Sequence, residues 1–95
     1  MRLSAEQITQ IKQVIFDLFG QDAEVWLFGS RVDDTKRGGD VDLYIESKLT
    51  DVFSAKIKAM RQLESLLPYP VDVVVFDANQ DLAIYRIAKS EGVKL

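Results

Sequence analysis

Between positions 40 and 46 the chain alternates: Val41, Leu43 and Ile45 are apolar, while Asp40, Asp42 and Tyr44 fall between them. Successive side chains on a strand point to opposite faces. This segment therefore reads as a strand with one face on a core and both aspartates on the other. A second run, Val71-Asp72-Val73-Val74-Val75-Phe76, is apolar apart from one aspartate and reads as a further strand. Glu24-Val25-Trp26-Leu27-Phe28 is short and rich in strand formers, and Gly29-Ser30 ends it.

Helices fill the intervals. Ser4-Ala5-Glu6-Gln7 has the form of a capping box. Behind it Ile8, Ile11, Ile15, Leu18 and Phe19 recur at helical spacing, which predicts a helix over 5–19 ended by Gly20. Thr50 or Asp51 can cap a second helix carrying Phe53, Ile57, Met60, Leu63 and Leu67 inward, stopped by Pro68-Tyr69-Pro70. Asp77 or Asn79 can cap a last helix through Leu82, Ile84, Ile87 and Ala88, closed by Gly92. The order α-β-β-α-β-α points to an α+β fold of two layers, a small mixed sheet with helices mainly on one face.

A chain of 95 residues, 47% apolar, is enough for one domain over 1–95 with one modest core. With 15 acidic and 12 basic residues the net charge is -3, which argues against a general nucleic-acid binder. There is no cysteine and no histidine. Histidine-based acid–base catalysis and disulfide staples are thereby excluded, and a structural zinc site is disfavoured. The lack of cysteine fits a cytoplasmic protein. No run approaches the ~20 apolar residues of a membrane helix, and the N-terminus has no signal-peptide core.

Asp40 and Asp42 lie two apart on a strand and share a face. Two like charges so close call for a cation between them. Mg²⁺ is a hard ion that prefers oxygen ligands and often bridges carboxylates to substrate phosphates. Asp72, interrupting an apolar run, is the candidate third ligand, since a lone buried carboxylate would be costly; a strand-start aspartate near solvent is its plainer reading. Gly29 at a strand end lets backbone amides approach phosphate oxygens, and Ser30 adds a hydroxyl. Arg31, Lys36 and Arg37 could neutralise triphosphate charge; loop solubility is the alternative for the last two. Asp33 and Asp34 read as loop-surface residues. Tyr44, Val74 and Phe76 alternate onto the carboxylate face, where they would either rim a site for adenine or a partner, or pack under the last helix.

Taken together, Gly29-Ser30, a spacer, Asp40-Val41-Asp42 and a later Asp72 resemble the signature of the DNA polymerase β-type nucleotidyltransferase superfamily. The element order agrees over most of the chain. The short length resembles the minimal nucleotidyltransferases (MNT proteins), among them the antitoxins of HEPN–MNT toxin–antitoxin pairs. Two differences lie in the spacer: nine residues from Arg31 to Gly39, one fewer than is common, and Gly39 in place of the usual serine.

The resemblance implies a single minimal nucleotidyltransferase domain that transfers AMP from ATP to a tyrosine of a HEPN ribonuclease partner. Gly29 and Ser30, with Arg31, would bind the nucleotide phosphates. Asp40 and Asp42 would ligate two Mg²⁺ ions. Asp72 would hold the catalytic one and could help deprotonate the attacking hydroxyl. So small a palm would take its acceptor site partly from another chain. Two other readings stay open: a catalytically weak antitoxin that blocks its partner by occupation, and the nucleotide-binding subunit of a two-chain transferase working with a helical substrate-binding subunit on a small molecule or RNA end. Homo-oligomerisation is also open.

Overall fold

A computed structural model describes residues 3–29 and 39–95. Among the described residues three helices and four strands follow in the order α1 (Ala5–Phe19), β1 (Glu24–Phe28), β2 (Val41–Glu46), α2 (Val52–Leu66), β3 (Val71–Val75), α3 (Ala83–Glu91) and β4 (Val93–Lys94). The strands form one sheet in the order β3-β2-β1-β4. β1 runs antiparallel to both β2 and β4, whereas β2 and β3 are parallel, joined by the α2 crossover. The sheet is therefore mixed, as the sequence leads one to expect. Among the described residues no helix is long and apolar enough to cross a membrane.

Local chemistry explains where α1 begins. The Ser4 hydroxyl accepts from the Gln7 N–H at 3.1 Å, and the Gln7 side chain accepts from the Ser4 N–H at 3.0 Å. Two of the helix's orphan donors are satisfied reciprocally. Gly20 closes it, its N–H donating to the Phe16 carbonyl.

The two faces of the sheet are covered differently. Val25 and Leu27 of β1, Val41, Leu43 and Ile45 of β2, and Val71 and Val73 of β3 form the main core with α1 and α2. The opposite face carries Trp26 and Tyr44, buried with Tyr85 and Ala88 of α3. The Tyr44 and Tyr85 rings stack at 5.5 Å, and Trp26 meets Tyr44 at the same separation. Two helices thus lie on one face and one on the other.

The structure corrects several expectations. Phe53 does not point inward: it is 73% exposed. The buried residues of α2 are Ala55, Ala59 and Leu63, spaced four apart. Phe53 precedes Ala55 by two positions, about 200° around a helix of 3.6 residues per turn. The inward stripe is built on small alanines, which the bulkier apolar residues obscured. Asp51 occupies the N-cap of α2 without a side-chain cap bond. α3 begins after Leu82, and neither Asp77 nor Asn79 caps it. Asp77 closes a turn instead, its carboxylate accepting from the Asn79 N–H at 2.9 Å. Leu82 and Ile87 are exposed, and Tyr85 is the large inward residue.

β4 adds a strand to the order expected from the sequence. Two residues cannot show an alternation, so its signal lies in the steric fit of Gly92 instead. A Cβ there would stand 2.6 Å from the Leu27 carbonyl and overlap that of Ala88. Only a bare α-carbon lets the chain turn from α3 onto the edge of β1.

Candidate active site

Gly29 follows the last residue of β1. Phe28 pairs directly with Asp42 on β2, and Asp42 pairs in turn with Asp72 on β3. Three adjacent strands therefore bring Gly29, Asp42 and Asp72 side by side across one end of the sheet. Asp40 stands immediately before β2, exposed. The aspartates of β2 and β3 share the face that carries Tyr44 and Val74. α3 covers that face over Trp26 and Tyr44 but not over the carboxylates: Asp42 is half-buried and Asp72 is exposed.

Asp72 thus escapes the burial cost that first singled it out, because it lies on an edge strand outside the cover of α3. Its place in the site rests on register. Asp42 is the member that burial affects. Desolvation first, then the charges of Asp72 and Asp40, hold its carboxyl above the usual aspartate value. Among the described residues no Lys or Arg forms an ion pair with any of the three. An acidic trio on an open sheet end has the donor chemistry of a hard divalent cation. The carboxylates do not form a finished cage: among the described residues no group of three or more Asp, Glu, His or Cys side chains is placed to hold a metal.

Gly29 has φ of +78°, in the left-handed region that favours glycine. Ser30, Arg31, Asp33, Asp34, Lys36 and Arg37 lie outside the described residues. Tyr44, Val74 and Phe76 do share the carboxylate face, but Tyr44 and Val74 belong to the packing under α3, while Phe76 is exposed beside Tyr85. Tyr44 is fully buried, with its hydroxyl donating to Glu46 at 2.8 Å, and so cannot rim a nucleotide site. Val74 packs on the same cluster, and the Phe76 ring lies 5.2 Å from that of Tyr85. Phe28 was not singled out from sequence, although it lies directly opposite Asp42. Its position just before Gly29 was the available signal.

This fold and site define a nucleotidyltransferase domain: the profile of that family matches residues 8–95, and the chain belongs to the family. Among solved structures it is similar to one of a tri-AMPylated Shewanella oneidensis HEPN toxin in complex with an MNT antitoxin, with a TM-score of 0.69 and 19% identity over 94% of this chain and 68% of the other. It is also similar to one of a toxin–antitoxin MntA-HpeT mutant in which two aspartates, two positions apart, are glutamates. There the TM-score is 0.73 and the identity 19%, over 97% of this chain and 72% of the other. No curated protein matches significantly.

Proposed function

We propose that this protein is a minimal nucleotidyltransferase, one domain over 1–95, that transfers AMP from ATP to a hydroxyl of a partner protein of the HEPN toxin class. The observation that carries the reading is the register that sets Asp42 beside Asp72 at the open end of the sheet, next to Gly29. The similarity to an MNT antitoxin bound to a tri-AMPylated HEPN toxin supports the choice of group and of acceptor.

Asp40, Asp42 and Asp72 would hold two Mg²⁺ ions. Bound there, the ions would neutralise triphosphate charge and polarise the reacting oxygens. The chain's own contribution is placement. Gly29 and Ser30 would present backbone amides and a hydroxyl to the β- and γ-phosphates, with Arg31 adding charge. Asp72, solvent-facing at the sheet edge, would accept the proton of the attacking hydroxyl. That oxygen bonds to the α-phosphorus while the bond to pyrophosphate breaks, leaving an AMP ester on the acceptor. Positioning and charge neutralisation account for most of the rate expected of such a site.

The test mixes the protein with its genomic neighbour, ATP and Mg²⁺, and reads intact masses of both chains, with Asp42→Ala as control. One or more adenylyl increments on the partner, absent with the variant, are expected. A stable complex without any increment would refute transfer in favour of inhibition by occupation.

A further inference from the structure

Gly29 is in closer contact with Asp42 than chain order requires. A Cβ built on Gly29 would overlap Asp42 Oδ2, with Cγ at 3.2 Å and Cβ at 3.5 Å. The crowding reaches Cγ as well as Oδ2 of a short side chain. β2 lies between β1 and β3, so a carboxylate pushed away from Gly29 moves toward β3, where Asp72 stands in register. Along β2 on the same face the next residues are Tyr44, fully buried under α3, and Asp40, another carboxylate. Along the sheet, then, its neighbours on β2 and β3 are a packed ring and two like charges.

We propose that Gly29 is a positioning residue for Asp42: its missing Cβ makes the space in which the Asp42 carboxylate sits, apart from any contact Gly29 makes with phosphate. The proposal rests on the reading of Asp42 as a metal ligand. It gives the glycine a second task, performed before any nucleotide arrives. Positive φ alone would also select glycine here, so the test must separate strain in the backbone from overlap with the carboxylate.

A double-mutant cycle in thermal stability does so without metal or nucleotide. Gly29→Ala is made in the wild type and in an Asp42→Ala background, where the obstructing oxygen is gone and the backbone strain persists. At least half of the melting-temperature loss caused by Gly29→Ala is expected to disappear in the second background. Should Gly29→Ala alone fail to fold, folding of the double variant counts as the same relief. Equal losses in both backgrounds, or failure of both to fold, would overturn the proposal.

A second readout uses Mn²⁺ as the probe on nucleotide-free protein. Gly29→Ala should weaken Mn²⁺ binding tenfold or more, approaching the loss seen in Asp42→Asn. Mn²⁺ binding unchanged by Gly29→Ala would leave only a phosphate role and refute the proposal. A wild type that binds no Mn²⁺ would instead remove the metal reading, while the stability cycle would still report on the steric relation.

Discussion

Replacing Asp42 by asparagine should make the metal-free protein more stable. Asp42 is half-buried and stands directly beside Asp72 on the neighbouring strand, with Asp40 close by. Like charges opposite one another in a sheet cost about 0.2–1 kcal/mol. Asparagine keeps the shape and removes the charge. In a domain of this size 1 kcal/mol moves the melting temperature by roughly 4–8 °C, so a rise of about 1–8 °C is expected in EDTA at neutral pH. The Asp42 carboxyl is raised in the folded state, so the penalty is present above its folded pKa and is relieved as pH falls through it. The gap between variant and wild type should therefore narrow toward low pH. Added Mg²⁺ should reverse the order: a ligand at ten times its Kd stabilises the native state by about 1.4 kcal/mol, and only the wild type should gain. Differential scanning fluorimetry across pH, with EDTA and with a Mg²⁺ titration, reads all three effects. A variant that melts below the wild type in EDTA, or that gains equally from Mg²⁺, would refute the reasoning.

Glu24 is held below the ordinary glutamate value by its hydrogen bond and charge pairing with Lys94, at 2.6 Å. The stabilisation is present above 4.5 and lost as pH falls through the lowered folded value. Glu24→Gln should thus melt below the wild type at pH 7, with the difference closing in acid; a gap independent of pH would contradict the pairing. On α2, Phe53→Ser should change stability by no more than about 0.5 kcal/mol, whereas Leu63→Ala should cost about 2–5 kcal/mol. Urea denaturation of the pair checks which face of α2 is inward.

Features written in neighbouring residues were legible in the sequence. The Ser4–Gln7 cap and the alternation through Val41, Leu43 and Ile45 depend on contacts within a few positions, and both stand in the structure. The aspartates were recognisable as a set. What brings Asp42 beside Asp72 is the register of two strands separated by a helix, which no local pattern encodes. Phe53 was misplaced because the face of α2 is decided by what α1 and β3 can accommodate, and they take alanines. The burial argument for Asp72 failed for a similar reason: exposure on β3 depends on how far α3 reaches. Tyr85 dominates the second face because Tyr44 lies beneath it, a pairing between distant positions that no local pattern encodes.

The aromatic column on that second face has an optical consequence. Trp26 is the chain's one tryptophan, and its ring centre lies 5.5 Å from Tyr44, which stacks on Tyr85. At such separations light absorbed by either of these two tyrosines is handed to the indole, so both should emit almost wholly through the tryptophan. The ammonium groups of Lys89 and Lys94 stand 5.1 and 5.7 Å from the same ring. These lysines come from α3 and β4, so loosening either element would shift the indole's emission, and loosening α3 would release the light of Tyr85 as well. The fold thus contains an intrinsic, label-free gauge of how firmly its last helix and strand are seated, three residues along β1 from Gly29.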